Sequence, residues 1–222
     1  MQRSVPLVDG EIYHVFNKSI ANYVIFNEAR EYERFKQMLL FFNFNQNHLK
    51  FAHFQSSKIA EQTGFYKPVI EKMKDCAQHT EIVAYCIMPT HYHLILKQVG
   101  EAGISTYLGN LQNSYARFFN NSHGRKGPLW VGKFKNVLVK TDEQLVHLSR
   151  YVHLNPVKAN LCKKAAEWGS SSYAEYTKNG LTENLCTYSN YIDLNSSDYE
   201  KFVDEYGADQ KATSLINTLM LD

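Results

Sequence analysis

Val83-Ala84-Tyr85-Cys86-Ile87-Met88-Pro89-Thr90-His91-Tyr92-His93-Leu94-Ile95-Leu96 is the stretch on which the rest of the chain is arranged. Its apolar runs read as two strands, about 81–88 and 91–98, joined at Met88-Pro89-Thr90. Side chains of a strand alternate faces with a period of two, so His91 and His93 point to the same side. Two neutral imidazoles on one face can bind one divalent ion and leave positions open for substrate. Two histidines in a half-buried strand are also ordinary core or surface residues, and the spacing alone leaves both readings open.

A second segment bears on the choice. Thr141-Asp142-Glu143-Gln144 reads as a helix start, with Thr or Asp as N-cap and acids in the first turn. The helix runs through Leu145 to Asn155, where Pro156 is expected to stop it. Residues four apart share a helix face, so His147, Tyr151 and Asn155 form one polar stripe, while Leu145, Leu148 and Val152 form the side that docks on a core. An amphipathic helix with a Tyr hydroxyl at its boundary would show the same pattern.

Outward from these two segments the order of elements emerges. Glu11–Asn17 alternates as a short strand, and Glu28–Phe44 carries Tyr32, Phe35, Met38, Leu39 and Phe42 at helical spacing. Residues 45–80 are polar and rich in helix formers, and we read about 49–78 as an inserted helical hairpin with a loop. Ile104–Asn120 has an apolar stripe with Asn110, Gln112, Asn113 and Arg117 on its other side, and 134–140 reads as a strand. Strand, helix, strand, strand, helix, strand is the ferredoxin-like β-α-β-β-α-β order, an α+β fold with an antiparallel sheet, to which the Tyr151 helix is an addition. Residues 1–166 would form this unit, with 167–222 packed on it as an acidic extension anchored through Trp168 and Tyr173, and a short acidic helix between Tyr191 and Tyr206.

The chain has 222 residues, 44% hydrophobic and 14% aromatic, enough for a packed core. No apolar run reaches membrane-spanning length, and Met1-Gln2-Arg3-Ser4-Val5-Pro6 lacks the apolar core of a signal peptide. Cys76, Cys86, Cys162 and Cys186 have neither zinc spacing nor close pairing, which suits a reduced, cytoplasmic protein. Net charge is +2, but residues 1–166 hold 21 Lys and Arg against 12 Asp and Glu, and residues 167–222 hold 3 against 10. A basic body fits a nucleic-acid binder, although ordinary solvated surface is not excluded. Within 124–140, Arg125, Lys126, Lys133, Lys135 and Lys140 occur with no acid among them. Basic residues attract phosphates and aromatic faces stack on unpaired bases; Trp130 is either such a platform or core.

Taken in order, Tyr13-His14-Val15, Ile25-Phe26, Ala84 to Leu94, Gly127-Pro128-Leu129-Trp130-Val131-Gly132-Lys133-Phe134-Lys135 and Arg150-Tyr151-Val152-His153-Leu154-Asn155-Pro156-Val157-Lys158-Ala159 resemble the single-tyrosine transposases of the His-hydrophobic-His (HUH) class, and within it the REP-associated branch related to the insertion-sequence 200 group. The resemblance covers residues 11 to about 162. It implies a ferredoxin-like domain that cuts and rejoins single-stranded DNA, including DNA hairpins, through a 5′-phosphotyrosine link. It further implies His91, His93 and Asn155 as ligands of Mg²⁺ or Mn²⁺, and Tyr151 as nucleophile. Thr90 departs from the pattern, where Asn or another polar residue is usual. His147, one turn before Tyr151, is a candidate base by position, as is a metal-bound hydroxide or solvent; we place it as a supporting residue. Arg117, Arg125, Lys126, Trp130, Lys133 and Lys135 are the candidate DNA-binding residues. Relatives act as monomers or as homodimers in which the Tyr helix serves the partner. A hairpin-binding protein without turnover and a water-using phosphodiesterase are the competing readings.

Overall fold

The computed structural model describes residues 5–45, 49–55, 64–178 and 185–205. Four strands, β1 (Ile12–Lys18), β2 (Thr80–Met88), β3 (His91–Gln98) and β4 (Lys135–Leu138), form one sheet in the order β2-β3-β1-β4. Every neighbouring pair is antiparallel. This is the expected ferredoxin-like arrangement: the β2–β3 hairpin turns at Pro89-Thr90, and β1 inserts beside β3.

Alternation along the strands sorts the core into two layers. Tyr13, Val15, Tyr92, Leu94 and Leu96 face one way and are buried with Phe35 and Leu39 of α1 (Ala29–Phe42). Leu108, Leu111 and Tyr115 come from a second helix on the same face. Between the two lie the inserted residues, where α2 (Phe51–Gln55) and α3 (Tyr66–Met73) are helical and Phe65, Val69 and Met73 pack on Leu40, Phe41 and Phe44. Residues 56–63 between them lie outside the described residues, so the expected hairpin is not described as a whole. The second helix of the face, α4 (Gly103–Ser122), begins where a Cβ on Gly103 would stand 2.1 Å from the His79 carbonyl oxygen, so only glycine fits there.

The opposite face buries Ala84, Cys86, Met88 and Ile95 against Leu145, Leu148 and Val152 of α5 (Asp142–Lys158), the docking side read from the sequence. The C-terminal part completes this layer with Tyr173 and Tyr176 of α6 (Tyr173–Thr177) and Tyr199 and Val203 of α7 (Ser196–Asp204). On the way it follows the outer edge of β2: Ile87 N donates to Ser170 O and Ser172 N to Tyr85 O, each at 2.9 Å. An open edge strand is thereby covered. Trp168 Nε1 donates to Ile87 O at 3.1 Å, as an anchor should. The short acidic helix expected between Tyr191 and Tyr206 is α7. The four cysteines are unpaired thiols, and no helix among the described residues is long and apolar enough to cross a membrane.

Candidate functional site

The histidines sit at the start of β3, on the face covered by α5. Register pairs Phe16 with His93 and Lys18 with His91, so His14, two residues along β1 from Phe16, joins the same face. His14 is buried, and its Nε2 lies 3.0 Å from His93 Nδ1. His91 Nδ1 lies 3.0 Å from Thr90 Oγ1. Both Nδ1 edges are thus engaged, and Nε2 is the atom each ring can offer an ion, the arrangement in which a partner on one nitrogen orients a metal-binding imidazole. Burial, with His14 and His91 alongside, holds His93 well below the ordinary histidine pKa, so it is the neutral, ligating form. Thr90, unusual against the family pattern, has a defined contact with the ring that follows it. His14 lies in Tyr13-His14-Val15, one of the stretches that carry the resemblance, but was given no site role from the sequence.

Thr141 caps α5, its Oγ1 accepting from Gln144 N at 3.1 Å, and Asp142 and Glu143 follow in the first turn as expected. The far end corrects the sequence reading: the helix runs through Pro156 to Lys158. Proline lacks the N–H that would bond the Val152 carbonyl. Asn155 Nδ2 donates to that carbonyl at 3.4 Å and to the Tyr151 carbonyl at 3.0 Å. An amide one residue earlier therefore satisfies the group that the proline orphans.

Tyr151 is buried with its ring edge-on to His14 and His93, the centroids 6.2 and 5.9 Å away. Two turns on, Lys158 Nζ lies 4.6 Å from the Tyr151 ring centroid, a cation over the ring that sequence reasoning did not pick out. His147 faces the C-terminal helix: its Nδ1 is 3.0 Å from Arg150 Nη2 and its ring lies against Phe202.

Beside the histidines opens a cavity of about 410 Å³, lined by Phe16, Asn17, Lys18, Thr90, His91, His93 and the loop 131–135, including Lys133 and Lys135. Three lysines and no carboxylate line it. Lys126 is exposed in the preceding loop. Arg125 is committed to that loop's shape, donating to Asn120 Oδ1 at 3.0 Å and Pro128 O at 2.8 Å. Arg117 is exposed on α4, behind the opposite face of the sheet, and the fold does not bring it to the histidines. Trp130 is core: it packs on Tyr92, Phe35 and Tyr115, and Nε1 donates to Gln112 O at 3.1 Å. Its ring is not an open platform for bases. Gln112, read as part of the polar side of α4, is buried and donates to the Tyr92 hydroxyl.

Among the described residues no group of three or more His, Cys, Asp or Glu is arranged to hold a metal ion. His91 and His93 are nevertheless two imidazoles on one face, a donor pair that would need oxygen ligands from elsewhere to complete a site. A mixed nitrogen and oxygen set of that kind suits Mn²⁺ at least as well as the oxygen-preferring Mg²⁺.

Residues 47–155 match the family model for IS200-like transposases. A curated Haemophilus influenzae protein named as a REP-associated tyrosine transposase is 27% identical over 103 residues, 42% of this chain and 58% of that protein, so the match spans less than two thirds of that relative's length. A solved REP-associated tyrosine transposase bound to a REP hairpin aligns with a TM-score of 0.54, covering 87% of this chain and 98% of its own, at 14% identity, a likeness of fold. The family match spans just under half of the chain and runs through His91, His93, Tyr151 and Asn155, and over that stretch the chain is similar to the IS200-like transposases.

Proposed function

We propose that this protein cuts and rejoins single-stranded DNA next to hairpins, with Tyr151 as nucleophile. The observation that carries the reading is the burial of Tyr151 against His14 and His93, on the face where the lysine-lined cavity opens. The hairpin in the solved relative supports the substrate class.

The chain's own groups account for most of the chemistry. Lys133, Lys135 and Lys18 draw the DNA backbone to the sheet face. His91 and His93, joined by Asn155, would hold a divalent ion, which supplies Lewis-acid neutralisation of the charge growing on the phosphate. Tyr151 Oη attacks phosphorus, the bond to the DNA 3′ oxygen breaks, and a 5′-phosphotyrosine ester remains. The ester keeps the bond energy, so rejoining is the reverse step and needs no nucleotide. An ordinary phenol has a pKa near 10, so roughly one in a thousand is ionised at pH 7. The Lys158 ammonium lies over the Tyr151 ring, 4.6 Å from its centroid, and solvent takes the proton. With its described contacts to Arg150 and Phe202, His147 acts as support for α5.

The test uses labelled single-stranded hairpins from DNA flanking the gene, incubated with the full chain and Mn²⁺ or Mg²⁺ and resolved on a denaturing gel. A metal-dependent protein–DNA band, lost in Tyr151→Phe while DNA binding survives, is expected. DNA retarded on a native gel with no covalent band under either metal would overturn the enzyme in favour of a hairpin binder.

A further inference from the structure

Resting on that reading, we propose that the connection between β1 and α1, residues 19–26, is a docking surface for unpaired bases of the DNA strand that flanks the hairpin, with Tyr23 as the residue that packs on a base.

The connection is fixed in place, yet it turns apolar side chains outward. Ser19 N donates to Thr90 O at 2.8 Å, and Ile25 N and Phe26 N both donate to Pro89 O, at 2.8 and 3.0 Å. The segment is therefore fastened at both ends to the turn that precedes His91. Between these ends Ala21 and Asn22 stand at φ 52° and 55°, two successive non-glycine residues in the left-handed region. Such backbone persists only where its surroundings hold it, and it gathers at segments that meet ligands. Ile25 and Phe26 are buried, whereas Ile20, Tyr23 and Val24 are 36%, 55% and 47% exposed. Exposed Val131 joins them, because Ile20 N donates to Leu129 O and Val131 N to Lys18 O. Tyr23 is the most exposed Phe, Tyr or Trp among the described residues.

The surroundings select the occupant. The Arg125 guanidinium lies 5.6 Å from the Tyr23 ring centroid. Its bonds, to Asn120 Oδ1 and to the carbonyls of Gly127 and Pro128, are all to neutral oxygens, so the charge is held still without being cancelled. Arg125 backs one part of Tyr23, and the exposed 55% is the remainder, which is what a base would cover. Lys18, Lys126 and Lys133 are exposed on the adjoining segments. Residues 12–27, 82–100 and 102–141, which supply the connection, the turn beneath it and the loop beside it, contain no Asp or Glu. Glu28, next along the chain, is paired with Arg30 at 2.7 Å. Apolar side chains and an aromatic among uncancelled cations suit a ligand that carries flat bases and phosphates together, and such packing tolerates any base. Asn22 lines the same cavity as His91 and Lys133, so the surface adjoins the site, where the DNA to be cut is unpaired.

Affinity is measured by fluorescence anisotropy in the Tyr151→Phe background with Mn²⁺. The probes are a labelled hairpin from DNA flanking the gene with its single-stranded tail, and the same hairpin with that tail paired to a complementary strand. Tyr23→Ala should weaken binding to the unpaired tail at least about fivefold, and Tyr23→Trp should restore it. With the paired tail, all three should bind alike. The Tyr23 side chain is exposed and the loop is fastened by backbone bonds, so the melting temperature should not move. Equal affinity of Tyr23→Ala and its parent for the unpaired tail overturns the surface. So does a loss of the same size on the paired tail, or one that Tyr23→Trp leaves in place. A parent chain that binds neither DNA brings down the proposed function and the surface with it. A wild type that forms the covalent band, while Tyr23→Ala costs no affinity, removes the surface alone.

Discussion

His14 shows how much one contact changes the chemistry of the site. If His93 offered Nε2 to an ion, its proton would sit on Nδ1, and His14 Nε2 at 3.0 Å would be the acceptor for it. His14→Phe keeps the ring and removes the acceptor; we expect Mn²⁺ affinity to fall about 10- to 100-fold by calorimetric titration. Unchanged affinity would mean that His14 is only packing. Lys158→Met should slow adduct formation at neutral pH about two- to fivefold and move the pH–rate profile to higher pH, whereas an unmoved profile would leave Lys158 without a part in the reaction. Both lie in stretches that carry the family resemblance, but neither residue's place at the site was legible in the sequence. His14 is separated from His93 by 79 positions, and one histidine in a short strand carries no spacing signal. Only the placing of β1 beside β3 puts it on the histidine face. His91, His93 and Tyr151 stood out because their periodicity is local.

At the scale of elements, strands and helix starts were legible and helix ends less so. Alternation gave β2 and β3 almost to the residue, and Thr141 gave the start of α5. Pro156 misled because its missing N–H is replaced by the Asn155 side chain, a contact that no propensity encodes. Trp130 resolved to core because α4 turns Gln112 inward, where its backbone carbonyl accepts the indole N–H. Helix α1 depends on a cap of a different kind. Glu31, fully buried, accepts from Asn27 N at 2.7 Å, Glu28 N at 3.0 Å and His123 Nε2 at 2.7 Å. Burial pushes its carboxyl pKa up, but the Glu28 and Asn27 N–H groups and His123 outweigh that and hold it below the usual value of 4.5. A depressed carboxylate stabilises the fold above the unfolded value and loses that contribution as pH falls through the folded one. Glu31→Gln should therefore cost about 1–3 kcal/mol at pH 7. The gap to wild type in urea unfolding should shrink below about pH 4.5; a gap that widens there would refute the assignment.

For the whole molecule, the acidic C-terminal part is half of a core. His153, buried on α5, lies 2.8 Å from the Tyr199 hydroxyl through Nδ1 and 2.7 Å from Ser172 Oγ through Nε2, and the Tyr199 hydroxyl donates to Ser149 Oγ at 2.9 Å. These bonds tie the helix that carries Tyr151 to residues far beyond it in the chain. The sequence made the charge contrast legible, and Trp168 and Tyr173 as anchors, but not this network, because each member is an ordinary polar residue until the chain returns along β2. Ending the chain at residue 166 would strip Tyr173, Tyr176, Tyr199 and Val203 from the layer under α5. Each large side chain is worth about 1.5–3 kcal/mol of burial, so together they rival a domain's net stability of about 5–15 kcal/mol. The truncated chain should lose its cooperative melt by circular dichroism; a melt like that of the full chain would make the segment a passenger. The central claim, that the site set between sheet and α5 works through Tyr151, is tested most directly by mass spectrometry of the protein–DNA adduct after nuclease trimming and proteolysis. The account predicts a peptide with Tyr151 esterified to a 5′-phosphonucleotide. A nucleotide on another residue, or cut DNA ending in a free 5′-phosphate with no adduct, would contradict it.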